Sequence, residues 1–542
     1  MIGRMIDKAI GVFAPGWAAK RLAARATMQQ MDAFVGGNGG YQAGKHNRLT
    51  QGTGGNRTNE NGLSRGQIAR LRWSSWDLYR NNSHCRKLCR SLESKVIGRG
   101  MSPSPQATLS SGEPFVDFRA KVKQIWGMLA SQIDYRGRPG FGGQHFADIQ
   151  KTALRGVILG GEVLFYFRPL SAAEQISRET LLPIQLQLVH PERFDESINS
   201  NGGNRVIHGI ELRADDTRAA YHLYKNHPGD VWQSSSLDSQ RYPASSIGHL
   251  YVSEDIDQLR GVPWLSSVLL RSRDVGDYEY NELKAAAMAA CVVLGYRRSS
   301  AQSQFGPNAP SDWDLTDGDG NRITNLSPGM LLDLGSTGEI QGFNPQRPNA
   351  GAAEFLSYEL RSIACGVPGT KGSTVTGDYR NSSFSSERSA DNDAWPEIEG
   401  IQDWFAFNFM QPIFERVIEA AVIEGKFDDV AGFSAEDFLD RKSDYLACQW
   451  QGPVSRSINP TDDADAARKR VQNGASSPQI EAAILGRDWR EILRDLSEFK
   501  EYAAQIGISE DISSQILGID QADQPEAVPG NEATPPATEA AA

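Results

Sequence analysis

Three patterns of apolar residues predict that this chain belongs to the α+β class. Between Pro263 and Arg298 apolar residues recur at helical spacing without a further proline, which predicts one long helix. Between Val163 and Leu223 apolar and polar residues alternate, which predicts strands. From Phe384 onward helical spacing returns over more than thirty residues. Strands in one region and long helices in others are typical of an α+β protein.

Length and composition set bounds on the organisation and on the function. A chain of 542 residues predicts several structural regions, and a hydrophobic content of 39% is enough for sizeable cores. The formal net charge is −11, which argues against a chain that binds nucleic acid over its whole surface. Because grip on phosphate comes from Lys and Arg, an acidic protein can still handle DNA that must slide past it.

Cysteine usage and hydropathy exclude several classes of protein. The five cysteines are an odd number at wide spacing, so we expect reduced thiols and neither a disulfide framework nor a zinc site. No apolar run approaches the length of a membrane span. The first 17 residues resemble a signal peptide only weakly, because Asp7 and Lys8 interrupt them, and a short amphipathic helix is the better prediction.

The N-terminal region carries one incomplete nucleotide-binding motif. Residues 36–62 are rich in Gly, Asn, Thr and Gln and predict a loop or mobile arm. Within them, Gly39 to Lys45 has the spacing of a P-loop, but His46 stands where Ser or Thr would bind magnesium. The flanking residues also do not predict the strand and helix that a P-loop requires. Nucleotide binding is therefore the weaker interpretation.

Residues 64–251 predict helices followed by strands. Ser64 and Gln67 have capping-box spacing, and the sequence from Arg80 to Ser83 predicts a break between two helices. The further helices are predicted at 114–135 and 146–159. The predicted strands are 163–168, 184–188, 207–212 and 219–223.

The second half of the chain predicts long helices around a strand-rich insertion. Pro263 suits a first helical turn, and a helix from there to Arg298 would be about 50 Å long. Residues 299–349 predict short strands, and Asp317 to Asn321 predicts a hairpin turn and not a calcium loop. Further helices are predicted at 350–365, from Phe384 with a possible kink at Pro396, and at 462–474, 478–484 and 489–504, before a disordered tail.

Several short motifs in a fixed order resemble lambda-type bacteriophage portal proteins. The motifs begin with Tyr242-Pro243 and the Arg260-Gly261-Val-Pro263-Trp264 stretch, followed by Tyr278, Tyr280 and an alanine-rich helix. Pro328-Gly329, residues 361–368, Asp378-Tyr379 and Ser385-Ser386-Glu387-Arg388 continue the resemblance. Phe384 stands where the family usually has tyrosine, and it keeps the ring while losing the hydroxyl.

The resemblance implies the portal fold, with long stem helices, strand-rich wing and clip regions and a helical crown. The implied regions are an N-terminal arm (1–62), an α+β wing (63–260), a wing/stem helix (261–298), a clip (299–349), a second stem helix (350–366), a channel loop (367–383), a long wing helix (384–430), a helical crown (431–510) and a disordered tail (511–542).

The resemblance also implies a function without chemistry. Portal proteins form a ring, usually of twelve subunits, at one vertex of the virion capsid, after assembly in the cytoplasm of the bacterial host. Double-stranded DNA passes through the ring during packaging and ejection. The implied partners are the terminase large subunit, the major capsid and scaffold proteins, and the head-completion or tail connector proteins. No catalytic residue, cofactor or metal is expected.

Position within the family pattern gives candidate functional residues. The channel loop places Lys371, Asp378, Tyr379, Arg380 and Asn381 as candidates for touching DNA, and we expect loose contacts there because strong ones would stall the DNA. The residues expected to have structural roles are Arg260, Gly261, Pro263, Trp264, Ser385, Ser386 and Arg388. Two alternatives stay open: a DNA-handling ATPase or nuclease that uses Lys45, and a ring or scaffold component other than a portal.

Overall fold

The computed structural model describes residues 65–230, 238–290, 294–296, 331–333, 351–378, 383–455, 460–485 and 489–508. The predictions for the N-terminal arm, the near P-loop, most of 299–349 and the C-terminal tail lie outside these residues. Within them the chain contains both helices and sheets, which confirms a mixed helix-and-strand fold. In this part of the chain no helix is long and apolar enough to cross a membrane.

Two helices open the described chain, and the predicted break separates them. Helix α1 is Arg65–Asn81 and helix α2 is Ser83–Val96. Asn82 lies between them in extended conformation, and its side chain accepts a hydrogen bond from the backbone N–H of Cys85 at 3.0 Å. An asparagine N-cap of this kind satisfies a donor that the first turn leaves unpaired. The polar residues of the break thus start the second helix.

The next helices supply a large part of the apolar core. After the short strand β1, Ser102–Pro105, come helix α3, Val116–Leu129, and helix α4, Phe146–Gly160. Helix α3 is shorter than the predicted 114–135, because Pro114 forms a bridge with Thr108 and Asp134 forms one with Leu186. Helix α4 ends at Gly161, whose φ of 84° is the left-handed conformation that glycine adopts at low cost.

Two antiparallel sheets follow helix α4. Strand β2, Glu162–Pro169, pairs with β3, Ile184–Val189, and with β9, Gly248–Tyr251. Helix α5, Ala172–Arg178, connects β2 to β3. The second sheet has the order β4-β5-β6-β7-β8. Its strands are Ser200–Asn201, Asn204–Ile207, Ile210–Leu212, Arg218–Tyr224 and Ser239–Pro243.

The predicted single strand at 207–212 is wrong, because this stretch turns back on itself. Strand β5 ends at Ile207 and β6 begins at Ile210, and the two pair with each other. His208 and Gly209 between them have φ values of 48° and 83°. Two consecutive residues with positive φ are typical of a tight hairpin. The alternating pattern of apolar and polar residues therefore did not reveal the turn at His208 and Gly209.

The long helix predicted from Pro263 to Arg298 is also wrong at both ends. Helix α6 is Leu269–Ala290, which is 22 residues or about 33 Å. Before it, the Trp264 N–H donates to the Ile158 carbonyl at 3.0 Å, and this tertiary bond replaces the expected first turn. After it, strand β10, Leu294–Tyr296, pairs in parallel with β11, Leu331–Asp333. Leu294 therefore belongs to a strand.

The helices after the insertion match their predictions closely. Helix α7 is Ala352–Cys365, the short helix α8 is Gly372–Thr376, and helix α9 is Phe384–Phe405 with Pro396 inside it. One π-helical turn, Ala406–Met410, joins α9 to helix α10, Gln411–Ile423. Helix α8 was not predicted, and it lies in a segment that the sequence predicts to be a polar loop.

The segment after 430 belongs partly to the main core. Helices α11, Ala435–Asp440, and α12, Lys442–Tyr445, precede strand β12, Cys448–Gln451, which pairs with β1. The ring of Phe118 lies 5.1 Å from Tyr445 and 4.6 Å from Phe427, measured between centroids. Helices α13, α14 and α15 end the described chain as Pro460–Gln472, Pro478–Ile484 and Trp489–Gln505.

Candidate functional site

The segment 367–383, predicted as the channel loop, follows α7 and precedes α9. Its described part, 367–378, is compact, because Thr374 and Val375 of α8 are 5% and 1% exposed. Helix α8 ends at Gly377, whose φ is 67°. Residues 379–382 lie outside the described part of the chain. Residues 367–377 thus form a folded base of the segment. Of the predicted DNA contacts, Lys371 lies in this base and the other four follow it in sequence.

Gly369 holds the start of this base against helix α9. Its φ of 66° is left-handed, and its N–H donates to the carboxylate of Glu397. A Cβ at this position would lie 2.4 Å from Cδ1 of Ile398. The Thr370 hydroxyl donates to the carbonyls of Ala364 and Val367 at 2.6 and 2.8 Å. Glycine is therefore required where the chain leaves α7 and meets α9.

Lys371 lies between two carboxylates of α9. Its Nζ is 2.6 Å from Oε2 of Glu387 and 2.8 Å from Oδ1 of Asp391, and its side chain is 14% exposed. Burial on its own lowers the pKa of Lys371, but the hydrogen bonds to Asp391 and Glu387 outweigh it and raise that pKa. The Ser373 hydroxyl also donates to Glu387, at 3.1 Å. The charge of Lys371 is therefore fixed and partnered within the protein.

The other side of α8 is attached to helices α2 and α6. The ring nitrogens of His84 lie 3.3 Å from the Val375 carbonyl and 3.2 Å from Oε1 of Glu279. A cleft of about 1330 Å³ borders this region, lined among others by His84, Glu279 and Lys371. Polar contacts thus link the α8 region to α9 on one side and to α2 and α6 on the other. The sequence pattern did not predict these contacts.

Of the five predicted DNA contacts, the structure describes two. Lys371 is partnered as above, and Asp378 is exposed just after Gly377. Tyr379, Arg380 and Asn381 lie outside the described residues. The sequence analysis missed Asp391 and Glu397 as residues that hold the segment. The available signal was the spacing of Asp391 from Glu387, since residues four apart lie on one face of a helix, whereas no such spacing marked Glu397.

One of the residues predicted to have a structural role, Arg260, belongs to a buried charge cluster centred on Glu162, which was not predicted. The carboxylate of Glu162 is fully buried at the start of β2 and accepts bonds from Arg260 Nε at 2.8 and 3.0 Å. The guanidinium of Arg72 also donates to Glu162. Burial alone would raise the pKa of Glu162, but Arg260, Arg72 and His249 hold it well below its usual range. Glu162 is thus a buried anion with two cationic partners.

Arg260 connects this carboxylate to the five-stranded sheet. Its Nη1 donates to the His208 carbonyl at 2.6 Å and lies 3.1 Å from Glu196. Its guanidinium carbon also lies 3.6 Å from the ring centroid of Phe194. A planar guanidinium can bridge carboxylates and stack on an aromatic ring at the same time. Arg260 thus contacts Glu162, Glu196 and the turn between β5 and β6, and its structural role stays a prediction.

His249 is the third partner of Glu162, and its hydrogen bonds define its tautomer. Its Nε2 lies 2.9 Å from the carboxylate, while Nδ1 lies 3.4 Å from both Arg218 Nη1 and the Tyr221 hydroxyl. Since a guanidinium can only donate, Nδ1 accepts and Nε2–H donates. Burial lowers the pKa of His249 to about 4, although Glu162 acts in the opposite direction. His249 is therefore neutral near pH 7.

Gly261, Pro263 and Trp264 form the approach to helix α6. The Gly261 N–H donates to Glu162 at 2.9 Å, and a Cβ on Gly261 would lie 2.1 Å from the Gly161 carbonyl oxygen. The Pro263 carbonyl accepts from the Ser266 N–H at 2.9 Å, within a turn and not in a helix. Trp264 is buried. The motif therefore fixes where two backbones touch and does not start a helix.

Ser385, Ser386 and Arg388 lie in the first turns of α9. The Ser386 N–H donates to the Ser383 hydroxyl oxygen at 3.1 Å, and the Ser383 N–H donates to the Ser386 hydroxyl oxygen at 3.0 Å. This reciprocal pair is a capping box. Ser385 is exposed, and Arg388 lies 3.8 Å from Asp463 at the surface. Ser383 is the cap that the motif-based prediction left out.

Neither cluster has the arrangement of a catalytic or metal centre. Near α8, Lys371 and Ser373 are paired with carboxylates of α9. In the other cluster, Arg72 and Arg260 compensate the negative charge of Glu162. Among the described residues, no group of three or more His, Cys, Asp or Glu side chains is arranged to hold a metal ion. The contacts of both clusters link segments that are far apart in the chain.

A family model of phage portal proteins, lambda family, matches residues 46–402. The probable portal protein of Halomonas phage phiHAP-1 is 26% identical over 330 residues, which cover 60% of this chain and 61% of that protein. Portal protein B of Escherichia phage lambda is 21% identical over 349 residues, covering 60% and 63%. The portal protein of Escherichia phage N15 is 21% identical over 446 residues, covering 77% and 81%. The chain thus spans less than two thirds of the first two relatives.

Solved structures with a similar chain come from particle necks. The neck of an empty gene transfer agent particle computed with C6 symmetry has a TM-score of 0.39 at 13% identity, covering 81% of this chain and 98% of that chain. The neck of the native particle computed with C12 symmetry has a TM-score of 0.36 at 13% identity, covering 79% and 95%.

Proposed function

Because the chain belongs to the lambda family of phage portal proteins, we propose that it forms a ring-shaped channel at one vertex of a phage capsid. The ring has twelve copies of the chain and is the passage for double-stranded DNA during packaging, retention and ejection. The observation that carries this proposal is the family match over residues 46–402. The order of helix α6, insertion, helix α7, folded segment and helix α9 supports it.

The partners in this proposal act in sequence at the same ring. The terminase large subunit docks during packaging, and head-completion or tail connector proteins replace it afterwards. Major capsid and scaffold proteins surround the ring during assembly in the bacterial cytoplasm, and the finished protein is part of the virion. The proposed work is mechanical and structural, so the chain carries out no reaction and needs no cofactor.

The charge of the chain fits a channel through which DNA slides. A net charge of −11 supplies little overall attraction to phosphate. The channel loop is the proposed place of contact, with Asp378, Tyr379, Arg380 and Asn381 as candidate contacts and Lys371 at its base. Weak polar contacts at this loop would guide DNA without stalling its movement.

The direct test is the mass and shape of the purified full chain. Light scattering is expected to give about twelve times the chain mass of 59.4 kDa, and negative-stain electron microscopy is expected to show rings with a central hole. A monomer that persists even in the presence of the capsid and scaffold proteins that would nucleate a ring would contradict the proposal.

The alternative of a DNA-handling ATPase or nuclease predicts a different result. It requires ATP or DNA hydrolysis that depends on magnesium and is abolished by Lys45→Ala. We expect no such activity. A monomer with Lys45-dependent ATP hydrolysis would replace the portal proposal with this alternative.

A further inference from the structure

One face of helix α9 changes in character along the segment that it contacts. Glu387, Asp391, Ala394 and Ile398 are spaced by four, three and four residues, so they follow one stripe of the helix. Ala394 and Ile398 are 7% and 0% exposed, while the two acids face Lys371. The stripe is therefore acidic near the start of the helix and apolar further along.

The base of the 367–383 segment matches this stripe position by position. Gly369 lies against Ile398, where a Cβ would come within 2.4 Å of Cδ1. Two residues later, Lys371 reaches both acids within 2.8 Å. A backbone contact at the apolar part and an ion pair at the acidic part fix the direction of the chain as well as its distance from the helix.

A second lysine lies in the same electrostatic environment. Burial lowers the pKa of Lys95 on α2, Asp391 raises it and Lys371 lowers it. Asp391 thus interacts with two cationic side chains from two different segments. Asp391 thus stabilises the packing of α9 on the 367–383 segment and on α2. Its removal would leave the charges of two partly buried ammonium groups less well compensated.

The geometry also argues against Lys371 as a contact for phosphate. Its ammonium already faces two carboxylates, and a phosphate approaching the same point would meet their negative charge. Its 14% exposure leaves little of the side chain open to a ligand.

We propose that Lys371 is a positioning residue that forms an ionic latch with Glu387 and Asp391. The latch holds the base of the channel loop on α9 and keeps the Lys371 ammonium between the two carboxylates, away from DNA. This inference rests on the proposed function, since it takes residues 367–383 as the channel loop. It assigns Lys371 a role in the shape of the loop and removes it from the candidate DNA contacts.

The latch and a DNA contact predict opposite results for one substitution. Asp391→Asn removes a negative charge beside Lys371. If Lys371 held phosphate, this change would strengthen DNA retention, because less negative charge would oppose the phosphate. If Lys371 is a latch, Asp391→Asn weakens the anchoring of the loop and lowers DNA retention, as Lys371→Met does. Lys371→Arg keeps the ion pairs, so this variant is expected to retain DNA as the unmodified protein does.

Loop anchoring can be measured without DNA by hydrogen exchange on the full-length protein, whether or not it assembles into rings. The amides of Thr374 and Gly377 donate to the carbonyls of Lys371 and Ser373 at 2.9 and 2.8 Å. We expect both amides to exchange about tenfold faster in Asp391→Asn and Lys371→Met than in the unmodified protein. Asp393→Asn is the matched control, since it makes the same change at an exposed position of the same helix.

The outcomes separate this inference from the proposed function. Faster exchange in both latch variants, with lowered DNA retention and an unchanged control, would support the latch. Unchanged exchange in Asp391→Asn, or stronger DNA retention in that variant, would overturn it even if rings form normally. If the unmodified protein forms no ring, the portal proposal fails, while the exchange rates still decide whether Lys371 anchors the segment.

Discussion

At the scale of single residues, Glu162 shows how a buried charge can organise a fold. It accepts hydrogen bonds from Arg72 on α1, His249 on β9 and Arg260 before α6. Removing one partner from such a group leaves an uncompensated buried charge, which costs several kcal/mol. The charge of Glu162 is therefore compensated only when α1, β9 and the segment before α6 pack together.

The contact between Gly161 and Gly261 gives a first prediction. A Cβ at 261 would lie 2.1 Å from the Gly161 carbonyl oxygen, which is backbone and cannot rotate away. We expect Gly261→Ala to lower the free energy of unfolding by about 3 kcal/mol. Urea denaturation of the purified protein would measure the change.

Gly276 provides the matched control for this substitution. It lies within α6, and a Cβ there would have its nearest neighbour, Asn82 Nδ2, at 3.7 Å. Gly276→Ala is expected to be neutral or stabilising by up to about 1 kcal/mol, because alanine favours helix. Equal effects of the two substitutions would show that the close approach at Gly261 is not limiting.

The second prediction concerns the pH dependence that His249 contributes. Its pKa is about 4 in the folded protein and 6.5 as the ordinary value, so between these pH values the unfolded chain binds the extra proton. The free energy of unfolding therefore falls as the pH is lowered. We expect His249 to account for roughly 2 kcal/mol of the loss between pH 7 and pH 4.5.

His249→Gln isolates this contribution, because the amide keeps a donor for Glu162 and does not titrate. Denaturation of both proteins at pH 7 and pH 4.5 would give the double difference, in which the carboxylates common to both cancel. The variant is expected to lose less stability on acidification. An equal loss in both proteins would mean that His249 is not held neutral.

At the scale of elements, the cap at the start of helix α9 supports the ion pair between Glu387 and Lys371. The first turn contains the Ser383–Ser386 capping box and, just after it, Glu387, which binds Lys371. A cap satisfies backbone donors that a helix start leaves unpaired. The geometry of the ion pair with Lys371 therefore depends on a cap formed a few residues earlier.

The third prediction tests this dependence. Ser383→Ala removes the hydroxyl that accepts from the Ser386 N–H and is expected to cost about 1 kcal/mol, mostly as fraying of the first turn. Hydrogen exchange should show faster exchange at residues 386 and 387. Ser385→Ala is the control, because Ser385 is exposed beside the cap, and a similar effect there would argue against the capping role.

Helix α6 shows how an element can be shorter than its pattern. Its predicted range had helical spacing throughout, but the Trp264 N–H is bonded to Ile158 and residues 294–296 pair with 331–333. Both interactions use backbone groups that a helix would also need. Long-range hydrogen bonds therefore decided the ends of the helix, while local spacing predicted its middle.

At the scale of the whole molecule, a large core of the described residues joins segments between Leu88 and Leu446. Phe118 of α3 stacks near Phe427 and Phe433, and Phe165 of β2 lies edge-on to Phe409. A separate small cluster between the two sheets includes Leu164, Phe194 and Ile210. The segment 367–378 packs on this core without supplying most of it.

The fourth prediction follows from that separation. Deletion of residues 371–380 is expected to leave ring assembly intact while impairing DNA packaging or retention. The deletion removes the buried Val375, so we expect some loss of thermal stability, with about 2 kcal/mol as its scale. Electron microscopy of rings and the DNA content of assembled particles would measure the two effects separately.

A narrower deletion of residues 378–381 tests the same point while keeping Lys371 and Val375 in place. It is expected to impair DNA retention with little loss of stability. Normal packaging and retention by both deletion variants would contradict the assignment of this segment as the channel loop.

The sequence by itself predicted a mixed helix-and-strand fold and most of the longer helices of the described chain. It did so because helical and strand periodicities are local properties, and caps such as Asn82 are encoded next to the helices they begin. The short motifs, read in order, also gave the family that the later comparison supports over residues 46–402.

Only the tertiary structure decided where α6 begins and ends, that 207–212 is a hairpin, and that Lys371 faces two carboxylates. Each of these depends on groups far apart in the chain: Trp264 with Ile158, Gly209 with Phe194, and Lys371 with Asp391. No local pattern contains both members of such a pair. Their physical effect comes from distance, burial and charge in three dimensions, which the order of residues alone does not specify.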